Sequence, residues 1–80
     1  MTEQNKYVPE VGDFVTVVKY INSEDKSYSK EVLKVLAIDE NLFYCDMITH
    51  KGFQAMIDIN DVIFRQVSKD FALTIINNRD

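Results

Sequence analysis

The stretch that decides the fold is Glu31-Val32-Leu33-Lys34-Val35-Leu36-Ala37-Ile38, Asp39-Glu40-Asn41, Leu42-Phe43-Tyr44-Cys45-Asp46-Met47-Ile48-Thr49, His50-Lys51-Gly52, Phe53-Gln54-Ala55-Met56-Ile57-Asp58-Ile59. Three runs rich in β-branched, aromatic and other apolar residues are separated here by two short polar connections, the pattern of strands joined by hairpins. His50-Lys51-Gly52 fits a three-residue loop with glycine in the left-handed position, and Asp39-Glu40-Asn41 fits the same design with asparagine in that place. Register then follows by counting. On one face Phe43 lies opposite Ile59, Cys45 opposite Ile57 and Met47 opposite Ala55, while Leu33 lies opposite Met47, Val35 opposite Cys45 and Ala37 opposite Phe43. Every pair is apolar, as the inner face of a sheet requires.

The same counting builds the other face. Lys34 lies opposite Asp46, Leu36 opposite Tyr44, Ile38 opposite Leu42, Val32 opposite Ile48, Asp46 opposite Met56 and Tyr44 opposite Asp58. A face that water should cover thus carries Val32, Leu36, Ile38, Leu42, Tyr44, Ile48 and Met56. That is too much for scattered surface hydrophobes, so something should cover it.

Outward from this stretch, Phe14 to Ile21 reads as a first strand, entered through Gly12-Asp13. Residues 1–10 form a flexible arm that ends near Val8-Pro9, and the polar residues 22–30 form an exposed loop. On the other side, Asn60-Asp61-Val62 suits one tight helical turn and Ile63 to Val67 a short fifth strand. Ser68 to Ile76 fits either one more strand or a short helix capped by Ser68 or Asp70. Its apolar residues are the nearest cover for the outer face. Residues 11–76 make the single domain, and 77–80 should fray.

Eighty residues lie near the lower size at which one hydrophobic core offsets chain entropy without a disulfide or a metal. The chain is 46% hydrophobic with two Gly and one Pro, a folded composition and not a disordered one. No run of about 18 apolar residues occurs, and the polar start Met1 to Lys6 is unlike a secretory signal, so a cytoplasmic location is expected. The lone Cys45 has no internal partner and falls on an inward position, as a small buried hydrophobe.

Chemistry is scarce. His50 is the only histidine, it falls in a hairpin loop, and no second His or Cys stands at a ligand spacing. The paired acids Asp39-Glu40 and Asp58 with Asp61 sit in turns, where carboxylates cap backbone donors. The two glycines are far apart, so no phosphate-cradling loop can form. An enzyme is not expected, and neither cofactor nor metal is called for.

Gly12-Asp13-Phe14-Val15-Thr16-Val17, followed by a long polar loop, three hairpin-linked strands, a one-turn helix and a closing strand, resembles the small SH3-like barrels of the KOW and Tudor type. The resemblance runs from about Val11 to Val67. It implies an all-β, mainly antiparallel, five-stranded bent sheet closed into a barrel, with a short C-terminal strand or helix appended. It also implies binding by the loop after the first strand and by its neighbours. Tudor-like members hold methylated cations in aromatic cages, and by that resemblance Tyr20, Tyr28, Tyr44 and Asp58 could contribute to one. The nucleic-acid-binding members are basic, whereas this chain has a formal net charge of −4 and a pI of about 4.8, and it has Ser29-Lys30-Glu31 where they often place glycine.

The charge imbalance is local: between Lys34 and Arg65 stand Asp39, Glu40, Asp46, Lys51, Asp58 and Asp61, five acids against one base. A negative side opposes phosphate backbones and attracts a basic partner. The function expected is therefore a small acidic protein-interaction module. It docks through Leu36, Tyr44, Ile48 and Met56 with Asp46 and Asp58 at the rim, an aromatic and apolar centre with a charged border. Size, acidity and lack of chemistry are compatible with a phage or mobile-element accessory protein that modulates a host protein, itself basic or nucleic-acid-binding. Two competing classes remain. A nucleic-acid-binding domain would gather Lys6, Lys19, Lys26, Lys30 and Lys69 on one side, and a structural homodimer would turn the apolar face on itself.

Overall fold

The computed structural model describes residues 7–21 and 31–78. Its elements in chain order are β1 (Phe14–Tyr20), β2 (Leu33–Asp39), β3 (Leu42–Met47), β4 (Gln54–Asp58), a 3₁₀ turn (Ile59–Asp61), β5 (Val62–Gln66) and helix α1 (Lys69–Asn78). The strands form one antiparallel sheet in the order β4-β3-β2-β1-β5. The fold is thus mainly β with one short C-terminal helix, and the sheet is open, with β4 and β5 as its edges.

This sheet is strongly bent. Phe43 on β3 and Phe64 on β5 are three strand steps apart, roughly 14 Å in a flat sheet, yet their ring centroids stand 5.7 Å apart. The bend closes one face over a core of Val15, Val17, Leu33, Val35, Phe43, Cys45, Ala55, Ile57, Ile59, Val62 and Phe64. Bulges at Val18 in β1 and at Leu36 in β2 accompany it. An extra residue in one strand sharpens twist and lets a sheet fold over.

The inward alternation holds except at the end of β2, and two registers differ from those counted on the sequence. Leu33, Lys34 and Val35 face Met47, Asp46 and Cys45 as expected. Beyond the bulge Ala37 faces Tyr44, Ile38 faces Phe43 and Asp39 faces Leu42, so the connection is two residues, not three. Glu40, not Asn41, takes the left-handed backbone, with φ of 57°. Shortening the loop by one residue and bulging one residue in β2 offset each other, which keeps Leu33 and Val35 inward, but beyond the bulge the phase inverts: Ala37, expected inward, stands exposed opposite Tyr44, and Ile38, expected outward, stands opposite Phe43.

Between β3 and β4 the register lies two residues from the expected one: Phe43 faces Ile57, Cys45 faces Ala55, Tyr44 faces Met56 and Asp46 faces Gln54. The cause is the far end of β3. Ile48 N–H donates to Val32 C=O at 2.9 Å, and the Thr49 hydroxyl donates to the Glu31 carboxylate. Both residues stay with the chain leading into β2. The connection to β4 therefore lengthens to residues 48–52, closed by Met47 N–H to Phe53 C=O at 2.9 Å. A shift of two keeps every side chain on its face.

The tail is a helix. The Ser68 hydroxyl accepts from Phe71 N–H at 3.2 Å, an N-cap that satisfies one of the free donors of the first turn. Asp70 in that turn matches the positive end of the helix dipole. The helix includes Asn77 and Asn78, expected to fray, and the Asn78 side-chain amide donates to Thr74 C=O. Ala72, Ile75 and Ile76, at helical spacing, pack on Phe14, Val32 and Ile48 on the outer side of the sheet.

At the start of the domain, residues 7–10, assigned to the arm on sequence, are docked. Tyr7 packs on the main core, Pro9 is buried, and the Tyr7 hydroxyl donates to Asp13 Oδ2 at 2.6 Å. No helix is long and apolar enough to cross a membrane among the described residues.

Candidate functional site

The outer face of β2, β3 and β4 divides into two ends. At one end α1 buries Val32 and Ile48 together with Phe14, and Ile48 is only 2% exposed. Ile48 is therefore a core residue and not part of a docking surface, contrary to the sequence reading. At the other end Leu36, Tyr44 and Met56 remain 43%, 37% and 59% exposed. They line one shallow cleft with Gln54, while Cys45 and Ala55 complete its wall.

Each of these side chains is placed by its strand. Tyr44 and Met56 are cross-strand partners on β3 and β4. Leu36 is the bulged residue of β2, and Ala37 takes the position opposite Tyr44 that counting had given to Leu36. Neither the bulge nor Gln54 was signalled by the sequence, because both depend on loop lengths that alternation does not fix. Ile38, expected on this face, stands opposite Phe43 instead and does not line the cleft.

Two acids rim the cleft. Asp46 is half-buried, between Lys34 on β2 and Gln54 on β4. The Lys34 ammonium lies over the Phe14 ring, 5.8 Å from its centroid, a cation–π geometry. Asp58 faces Leu42 across the ladder, and its carboxylate accepts from Asn60 N–H at 2.8 Å, capping the 3₁₀ turn. Its role is thus partly structural, as its turn position suggested.

The strand pairing also gathers charge. Leu42 is the ladder neighbour of both Asp39 and Asp58, and Ile59 N–H donates to Asn41 C=O at 2.9 Å. These links bring Asp39, Glu40, Asp58 and Asp61 to one end of the sheet. At the opposite end His50 Nε2 stands 3.3 Å from Glu31 Oε2, while the Thr16 hydroxyl donates to Glu31 C=O at 2.8 Å. His50 is an exposed turn residue, as expected, and also ties the β3–β4 connection to the segment that leads into β2.

Among the described residues, Cys45 and Tyr7 depart from their ordinary ionisation. Burial pushes the Cys45 thiol up to about 11, which suits an inert core residue. Burial first, then the hydrogen bond to Asp13 and the charges of Asp13 and Glu10, hold the Tyr7 phenol well above the usual tyrosine range.

The other expected binding elements are dispersed or lie outside the described residues. The 22–30 loop, Tyr28, Lys6, Lys26 and Lys30 are outside them. Lys19 and Lys69 are exposed, on β1 and at the start of α1. Tyr20 packs against the main core, whereas Tyr44 stands on the outer face. A further groove, between α1 and the sheet, includes Thr16, Arg65 and Phe71. Compared with protein-family models, with curated proteins and with solved structures, the chain finds no match.

Proposed function

We propose that this chain is a small acidic protein-interaction module that docks another protein on the uncovered end of its outer face. Leu36, Tyr44 and Met56 form the apolar centre, and Asp46 and Asp58 the rim. The observation that carries this reading is the division of the face: α1 shields Phe14, Val32 and Ile48 and leaves Tyr44 and Met56 exposed. An aromatic beside unbranched and branched apolar side chains, bordered by carboxylates, is the make-up of an interface centre. The meander order, the 3₁₀ turn before β5 and the return of β5 to β1 support the SH3-like reading as its finer fold description. The acidic end of the sheet favours a basic partner over nucleic acid. An accessory protein of a phage or other mobile element, acting on a basic host factor, is the narrower form of the same proposal.

The test is the double variant Tyr44→Asp, Met56→Asp beside Ile48→Asp. The first should fold with an unchanged circular dichroism spectrum and lose the captured partner, with capture insensitive to nuclease. The second should lose the fold, because it buries a charge with no counterion. A wild-type dimer split by the double variant would replace this reading with a structural homodimer, and nuclease-sensitive capture would replace it with nucleic-acid binding.

A further inference from the structure

How a partner is held follows from the open edge beside the docking face, and the inference rests on that proposed face. β4 closes one side of the sheet, with β3 as its only ladder neighbour among the described residues. Peptide groups along an antiparallel strand point alternately to its two sides, and two bonds fix the phase. Met47 N–H donates to Phe53 C=O before the strand, and Asn41 C=O accepts from Ile59 N–H after it, each at 2.9 Å. Phe53, Ala55, Ile57 and Ile59 therefore turn their peptide groups toward β3. Gln54, Met56 and Asp58 turn theirs outward, away from any partner among the described residues.

Sheet edges are normally guarded by proline, lysine or a bulge, since bare peptide groups recruit other strands. Gln54 to Asp58 has none of the three. The residues whose peptide groups face outward are also those whose side chains lie on the docking face. We infer that the partner binds as an extended basic segment, adding a sixth strand along β4.

Charge selects this occupant. Asp58 lies on the edge itself, and Asp39, Glu40 and Asp61 gather beyond it. Among the described residues, a second copy placed antiparallel would bring one lysine, Lys51, with His50 beside it, to that end against four carboxylates, and each copy carries a net charge of −4. A foreign strand with lysine or arginine there matches it better. Antiparallel addition defines a reading frame from N to C: a basic residue beside Asp58, an apolar residue two positions on beside Met56, and a polar one beside Gln54.

The test selects the immobilised full chain against an unbiased library of displayed peptides, then measures amide exchange with the enriched peptide. The expected consensus alternates, with the basic residue two places before the apolar one. Bound peptide should slow exchange at Gln54, Met56 and Asp58 by tenfold or more and leave Ala55 and Ile57 unchanged. Gln54→Pro removes one outward N–H at a position where an edge tolerates proline, and it should weaken binding about tenfold, the loss of roughly one hydrogen bond and its neighbours. No enrichment, an acidic consensus or one with helical spacing overturns the inference, as does unchanged exchange at the three edge amides. Binding abolished by Tyr44→Asp but indifferent to Gln54→Pro overturns strand addition and leaves the docking face standing. Indifference to both overturns the face as well. A wild-type dimer that Gln54→Pro dissociates puts a second copy on the edge instead.

Discussion

Ile48 and Met56 lie on the same outer face of the sheet and would be equivalent on a sequence count, yet truncating them should have very different effects. Ile48 is sealed under α1 by Phe14, Val32 and Ala72, so Ile48→Ala loses roughly 0.8 kcal/mol for each of three buried carbons, about 2.4 kcal/mol in transfer free energy. The cavity left behind adds up to about 2 kcal/mol if the helix does not settle into it, at about 24 cal/mol per Å³ for a void of up to roughly 80 Å³. A total of about 2.4–4.4 kcal/mol approaches the whole stability of a domain this small. Ile48→Val is therefore the quantitative probe, with an expected loss of about 0.5–1.5 kcal/mol. Met56 is 59% exposed, and Met56→Ala should change stability by no more than about 0.5 kcal/mol. Urea unfolding followed by circular dichroism measures all three, through the midpoint at constant slope. Equal losses at the two positions, or a loss below about 1 kcal/mol for Ile48→Ala, would refute the division of the face into covered and open ends.

Four further outcomes are expected. Ser68→Ala removes the α1 N-cap and should cost about 1 kcal/mol, seen as a thermal midpoint lower by about 4–8 °C, whereas Ser68→Asp should retain it. Glu40 holds a left-handed φ of 57° that asparagine adopts more readily, so Glu40→Asn should stabilise by roughly 0.5 kcal/mol in the same melt. The Tyr7 phenol is raised in the fold, so its contribution is complete below the ordinary tyrosine value and is lost as pH climbs above it; ultraviolet titration should show one of the four tyrosines ionising late, and Tyr7→Phe should flatten the alkaline loss of stability. Cys45, raised to about 11, should resist thiol reagents at neutral pH until the protein unfolds, and labelling of the native state as fast as of a free thiol would contradict its burial.

The inner face was legible because its evidence is redundant. Val15, Val17, Leu33, Val35, Phe43, Cys45, Ala55 and Ile57 alternate on four strands, and any shift of two residues leaves them inward. Loop lengths lack that redundancy. Gly52 does take a positive φ, as expected, but a glycine marks a turn without fixing how many residues precede it. What set the β3–β4 connection was the hold of Val32 and Glu31 on Ile48 and Thr49, a contact between segments far apart in sequence. The bulge at Leu36 is invisible for a similar reason: it answers the bend of the whole sheet, and no local residue announces it. For the candidate site the consequence was one residue lost, Ile48, one gained, Gln54, and one, Leu36, kept but displaced by the bulge.

The half-covered face has a simple geometric origin. Val67 N–H donates to Phe14 C=O at 2.8 Å, so β5 delivers the start of α1 to the Phe14 end of the sheet. The ten-residue helix is about 15 Å long and roughly 10 Å wide. Its buried side chains meet Phe14, Val32 and Ile48, one from each of three neighbouring chain paths, and that crossing alone takes roughly 10 Å. Tyr44 lies four residues from Ile48 along β3, about 13 Å away, beyond the width the helix can shield. The exposure of Tyr44 and Met56 therefore follows from where β5 hands over to α1, so substitutions that loosen α1 should leave the open end of the face in place.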